Sequence, residues 1–224
     1  MSGTQAGAGS PASAVPLVLT DELLINRGRG RLCFRHPTDR SLVVKVAAGI
    51  DKAQQAANPK EWNGYRDLIR RHGTLPCISQ CHGFVATDHG TGLICDCIRD
   101  IDGTIARTIY DIIVYDDACD IERIMAVAEA FCRSLLERDI RLFDLNPKNI
   151  ALSRSADDGY RAVALDLKGR FDNNEFIPFS SYIGFFARQK MRRRSRQLLE
   201  RIRFFHEHRI RYRLRDERRP RADL

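Results

Sequence analysis

An asparagine and an aspartate bracket a β-hairpin in the second half of this 224-residue chain, and nothing else in the sequence constrains the fold as tightly. Asn149 stands just before an apolar run at 150–153, Asp157-Asp158-Gly159 is a turn signal, and 160–165 runs straight into Asp166. A tight hairpin brings its two ends together, so the amide oxygen of Asn149 and the carboxylate of Asp166 are expected to converge. Hard oxygen ligands of that kind suit magnesium, which is held by few protein groups plus phosphate oxygens. Asp144, five residues before Asn149, is expected beside that point, where it would accept or orient a hydroxyl proton.

The flanking segments read as an α+β chain. Asp120 is a good N-cap. Ile121, Ile124, Met125, Ala128, Phe131, Cys132, Leu135 and Leu136 follow at helical spacing, so a helix with one apolar face ends near Arg138. A loop broken by Pro147 carries the chain to Asn149. In the first half, 17–25 and 31–34 read as strands joined through Asn26-Arg27-Gly28-Arg29-Gly30, with a turn at 36–39. A β-branched strand at 42–46 holds Lys45, a helix spans 52–71 with a restart at Pro59, and strands follow at 83–87 and 91–98. That order implies an antiparallel sheet with one helix packed on it. An ammonium inside an apolar strand needs a partner, and Glu61 on the next helix is a candidate. Gly28 and Gly30 would let backbone amides approach phosphates.

The order glycine loop, strand lysine, helix glutamate, Asp-x-x-x-x-Asn, then Asp after a hairpin resembles the protein-kinase fold. More narrowly the chain resembles the YrbL family of bacterial kinase-like proteins, named for the PhoP regulatory network. The stretches that carry this are GRGRLCFRHP (28–37), LVVKV (42–46), EWNGY (61–65), TGLICDCIRDIDG (91–103), DLNPKN (144–149), ALDLKG (164–169) and RRRSRQ (192–197). The resemblance implies an α+β, two-lobed protein-kinase-like fold with a reduced C-lobe, after a leader at 1–16. The N-lobe would span 17–97 and the C-lobe 98–205, with a basic tail at 206–224. It also implies ATP and Mg2+ as cofactors. Lys45 would contact the α- and β-phosphates and pair with Glu61, Asp144 would be the catalytic base, and Asn149 and Asp166 would hold magnesium. Asp96 to Ile98 would be the hinge that offers backbone groups to adenine. The chain departs from the kinase pattern at Leu142 and Phe143, where His and Arg usually precede the catalytic Asp. It departs again at Cys33 in the third glycine position, at Asn146, and at Gly169, one residue late after Asp166. No Ala-Pro-Glu signature follows. Two functional readings stay open, a phosphotransferase with a protein, sugar or lipid acceptor and a catalytically inactive nucleotide-binding adaptor.

The net charge of +8 is not spread evenly. Between 188 and 221 there are 15 Lys or Arg, so that end carries about +10 and the remainder about −2. Basic charge there fits an acidic partner or an anionic surface. With only Phe204, Phe205 and Tyr212 as stacking aromatics, it argues against nucleic acid. Seven cysteines in a chain this long do not resemble a secreted disulfide framework. The 1–15 stretch lacks signal-peptide character, and no apolar run spans a membrane. A reducing, cytoplasmic setting is the expectation. Cys77, Cys81, His82, Cys95 and Cys97 lack paired zinc spacing, and the cysteines are expected as small buried residues.

Overall fold

The structure, a computed structural model, describes residues 15–28, 30–142, 144–155, 159–167 and 184–217. The leader up to residue 14, Arg29, Phe143, the turn residues Asp157 and Asp158, and Lys168 and Gly169 lie outside the described residues.

The architecture is mixed α+β. Five strands, β1 (Leu24–Arg27), β2 (Arg31–Arg35), β3 (Leu42–Ala47), β4 (Cys81–Thr87) and β5 (Gly90–Asp96), form an antiparallel sheet in the order β1-β2-β3-β5-β4. The apolar run of β3 follows from its central place, because a strand covered on both faces has no polar side to alternate with. Side chains alternate across the sheet. Val44 and Val46 join Leu19, Leu32 and Phe34 in a small core on one face, capped by Leu17, Leu23 and Leu24. Val43 and Lys45 face the other way, where Val43 joins the main core. The segment read as a first strand at 17–25 is shorter than expected. Leu17 bridges Thr87 on the edge of β4, Asp21–Leu23 make a 3-10 turn, and the strand begins at Leu24.

Two helices follow in the chain, and the longer one packs on that second face. α1 (Lys52–Gln55) is capped by Asp51, whose side chain accepts from Gln54 N at 2.9 Å, and α2 (Ala57–His72) follows. The break falls at Ala56, not at Asn58-Pro59. Pro59 sits in the first turn of α2, where its missing N–H forfeits no intrahelical bond. The buried residues of α2 are Asn58, Glu61 and Tyr65, spaced on one face, so α2 presents a polar stripe to the sheet.

The second half is mostly helical. It holds α3 (Ile109–Tyr115), α4 (Ile121–Glu137), a 3-10 turn at Pro147–Asn149, a two-stranded hairpin of β6 (Ile150–Arg154) and β7 (Tyr160–Ala164), then α5 (Gly184–Glu207) and α6 (Arg209–Glu217). α4 begins at its expected cap, Asp120 accepting from Arg123 N at 3.0 Å, and buries the face read from spacing. Met191, Leu198 and Ile202 of α5 are buried in the main core, and α5 packs on α4 and α3. α6 lies on α3. Asp216 accepts from Tyr110 Oη at 2.5 Å and Tyr115 Oη at 3.0 Å, and Arg213 donates to Val114 O. The described stretch of the basic end is thus folded against the domain, and no described helix is long and apolar enough to cross a membrane. All seven cysteines are free thiols.

Sequence patterning gave no sign of α3, because Ile109, Tyr110, Ile112, Ile113 and Val114 are all buried and leave no polar stripe to reveal a period. Its start is fixed by a capping box. Thr108 Oγ1 accepts from Asp111 N, and Asp111 accepts back from Thr108 N. Thr108→Ala is expected to lower stability by about 1 kcal/mol in urea denaturation; an unchanged midpoint would show that α3 is held by packing alone.

Candidate active site

Lys45 faces α2 because it alternates with Val44 and Val46 on β3. Its Nζ donates to Glu61 Oε1 at 2.7 Å and to the Leu165 carbonyl at 2.6 Å. One lysine therefore ties the sheet and α2 to the end of the hairpin, 120 residues away in sequence. Burial alone would lower the Lys45 pKa. The acidic groups around it, Glu61 first and then Cys95 and Asp166, together outweigh that effect and lift the ammonium above the ordinary lysine range. Asn58 locks the register, its Nδ2 donating to Lys45 O at 2.7 Å.

Glu61 has a second cation. Arg31 Nη1 donates to Glu61 Oε2, and Arg31 Nη2 pairs with Asp166 Oδ1 at 2.9 Å. Side-chain exposure rises outward along this chain of charges, from 3% at Glu61 and 11% at Lys45 to 17% at Arg31 and 25% at Asp166. Burial would depress the Arg31 pKa, and Glu61 and Asp166 together hold it above the usual value. Sequence reasoning missed Arg31 and Asn58. An arginine after a glycine loop reads as surface, yet Arg31 shares a strand face with Cys33, which pairs with Lys45 across β2 and β3. That spacing was the available signal.

The hairpin performs as its pattern predicts. Ile150 pairs with Ala164, and Leu165 N donates to Asn149 O at 2.9 Å, so Asn149 lies across from the residue before Asp166. The 3-10 turn starts at Asn146, whose side chain accepts from Lys148 N. It brings Asn149 Nδ2 to Asp144 Oδ2 at 3.1 Å. With Nδ2 so directed, Asn149 Oδ1 is the acceptor end of the amide. Asn149, Asp166 and Asp144 are hard oxygen donors and fit a magnesium ion. From α5, Arg194 and Arg201 donate to the carbonyls of Leu142 and Leu145, at 3.3 and 3.4 Å, on either side of Asp144. Leu142 is buried in the main core.

The other residues named from the sequence lie in the β1–β2 turn and at the end of β5. Gly28 N donates to Arg31 O at 2.8 Å and Gly30 O accepts from Ala48 N, so both glycines shape the β1–β2 turn. A Cβ on Gly28 would meet Arg31 O at 3.2 Å, a tight approach. Asp96 ends β5, its carboxylate accepting from Gln80 N at 3.0 Å and meeting His82 Nε2 at 2.7 Å. The backbone from 96 to 98 is well engaged: Cys97 N donates to Ser41 O, and Ile98 O accepts from Ala106 N. Behind Lys45 lie thiols. Burial pushes Cys33 up to about 11, and Cys81 Sγ lies 3.4 Å from Cys95 Sγ. Glu61, Cys81 and Cys95 bring ligand atoms within 4.8 Å of one another, but both Glu61 oxygens are held by cations, so the thiols act as packing.

The site thus gathers the cations of Lys45 and Arg31 around Glu61 and Asp166, with the Asp144–Asn149 pair at the start of the hairpin. Comparison with known proteins gives a consistent match. The chain is 27% identical over 168 residues to proteins named "Uncharacterized protein YrbL" from Escherichia coli (strain K12) and Shigella flexneri, covering 73% of this chain and 77% of each relative. The family model described as PhoP regulatory network protein YrbL matches residues 17–203. With the match running from the first bridge at Leu17 through nearly all of α5, the chain belongs to the YrbL family.

Proposed function

We propose that this chain is an ATP- and magnesium-dependent phosphotransferase built on a two-lobed protein-kinase-like fold with a reduced second lobe. The observation that carries the reading is the continuous link from Lys45 through Glu61 and Arg31 to Asp166, beside the Asp144–Asn149 pair. Lys45 would hold the nucleotide phosphates, with Glu61 fixing its position. Asn149 and Asp166 would hold magnesium, which neutralises phosphate charge when bound. Asp144 would accept the proton of the acceptor hydroxyl, turned toward it by Asn149. The segment from Asp96 to Ile98 would border adenine. The family description supports a place in bacterial regulatory signalling, and seven free thiols support a reducing, cytoplasmic setting.

A second reading, a non-catalytic nucleotide-binding adaptor, draws on Leu142, whose apolar side chain packs in the core and makes no polar contact to the Asp144 loop. One experiment separates the two. Purified protein is incubated with radiolabelled ATP and magnesium, and self-labelling, transfer to cell extract and thermal shift are followed. The phosphotransferase reading expects labelling that falls roughly 10²–10⁴-fold in Asp144→Ala with the melting curve retained. A magnesium–nucleotide thermal shift without labelling would favour the adaptor. Neither signal would sink both.

A further inference from the structure

Arg31 is placed by a constraint that the sequence reading did not use. Its guanidinium offers a planar fork of donors, and the two arms go to different carboxylates. Nη1 holds Glu61 Oε2 and lies 3.4 Å from Asn58 Oδ1, deep in the sheet–helix interface. Nη2 holds Asp166 Oδ1 at the more exposed end. The inner arm is anchored in a carboxylate that is 3% exposed, whereas the outer arm meets one that is 25% exposed. Lys45, Arg31, Glu61 and Asp166 together carry no net charge. A divalent ion at Asp166 would bring two positive charges against Nη2, and a triphosphate beside it would bring four negative ones.

Resting on the phosphotransferase reading above, we propose that Arg31 is a further phosphate-binding residue for the magnesium–nucleoside triphosphate, held in reserve on Asp166. The ion takes Asp166 and the outer arm passes to a phosphate oxygen, while the inner arm stays on Glu61. Arg31 thus opposes the free cation and favours the cation–triphosphate complex, so the empty ion is a poor ligand and the loaded nucleotide a good one. A residue that merely supported the fold would move both affinities in the same direction.

The test uses the full chain with Arg31→Gln. Mn2+ alone is titrated by loss of its free paramagnetic signal, and magnesium with a non-hydrolysable ATP analogue by calorimetry. Removing one positive charge at this range is expected to tighten Mn2+ at least about fivefold. Loss of a charge-assisted bond is expected to weaken the analogue roughly tenfold. Opposite shifts support the proposal. Weakening of both, or an analogue affinity that does not change, overturns it. Asp166→Asn in parallel separates the two levels. If it binds Mn2+ as well as the native chain, the metal reading falls and this proposal with it; if it loses Mn2+ while Arg31→Gln shows no opposite shifts, only the role of Arg31 falls. Should Arg31→Gln not fold, Arg31→Met carries the same test, since it too removes the charge while keeping an apolar stem for packing. Tighter Mn2+ with a weaker analogue supports the proposal there too, and any other pattern overturns it.

Discussion

Alanine at Glu61 is expected to lower the unfolding free energy by about 3–5 kcal/mol, because it leaves two cations in the interior without their shared carboxylate. Glu61 is almost fully buried and holds both Lys45 and Arg31. Lys45 keeps only the Leu165 carbonyl, and Arg31 keeps Asp166 at its outer arm. Glu61→Gln retains shape and one acceptor oxygen, so its loss is expected to be smaller. The sign with pH follows from Lys45. Its folded pKa is raised, so its stabilisation is complete at neutral pH and fades only as pH rises past the ordinary lysine range. Urea denaturation of both variants at pH 7 provides the check. A loss below about 1 kcal/mol for Glu61→Ala would mean that water or other groups solvate the two cations, and that the interior is wetter than its burial indicates.

Asp166→Asn is expected to remove phosphoryl transfer by on the order of 10³-fold or more, with the fold kept. The substitution preserves shape and removes the charge that would bind the metal. Asp166 is one quarter exposed and Arg31 retains Glu61, so the stability change should stay within about 1 kcal/mol. Steady-state labelling beside a melting curve measures both quantities. Turnover within tenfold of the native chain would remove Asp166 from the metal site.

The parts of this molecule that were legible share one property, that their signal is local. The hairpin showed itself through two short runs on either side of an Asp-Asp-Gly turn, and its register carries Asn149 to the residue before Asp166 as the pattern required. The strand lysine and helix glutamate were paired because a buried ammonium requires an anion, a pairing the resemblance also implied, and they lie 2.7 Å apart. α4 followed from its cap and stripe. What stayed hidden was non-local or lacked a period. Arg31 draws its role from Asp166, 135 positions away in the chain, and no window of sequence contains both. α3 is buried on every side. Arg194 and Arg201 looked like members of a solvated basic run, and only the packing of α5 on the helical half shows them at the loop of Asp144.

The bond from Lys45 to the Leu165 carbonyl also has a kinetic meaning. Hairpins and helices close short loops and are rewarded early, whereas a contact spanning 120 residues carries a large loop-closure entropy before any gain. Val43 and Leu93 of the sheet share one core with Ile113 and Leu135 of the helices, and the bond closes at the border of that shared packing. Local hairpins and helices are therefore expected to form before the contacts that join the two halves of the chain. The ion-paired centre is thus expected to form late in folding, because its bonds join segments far apart in the chain.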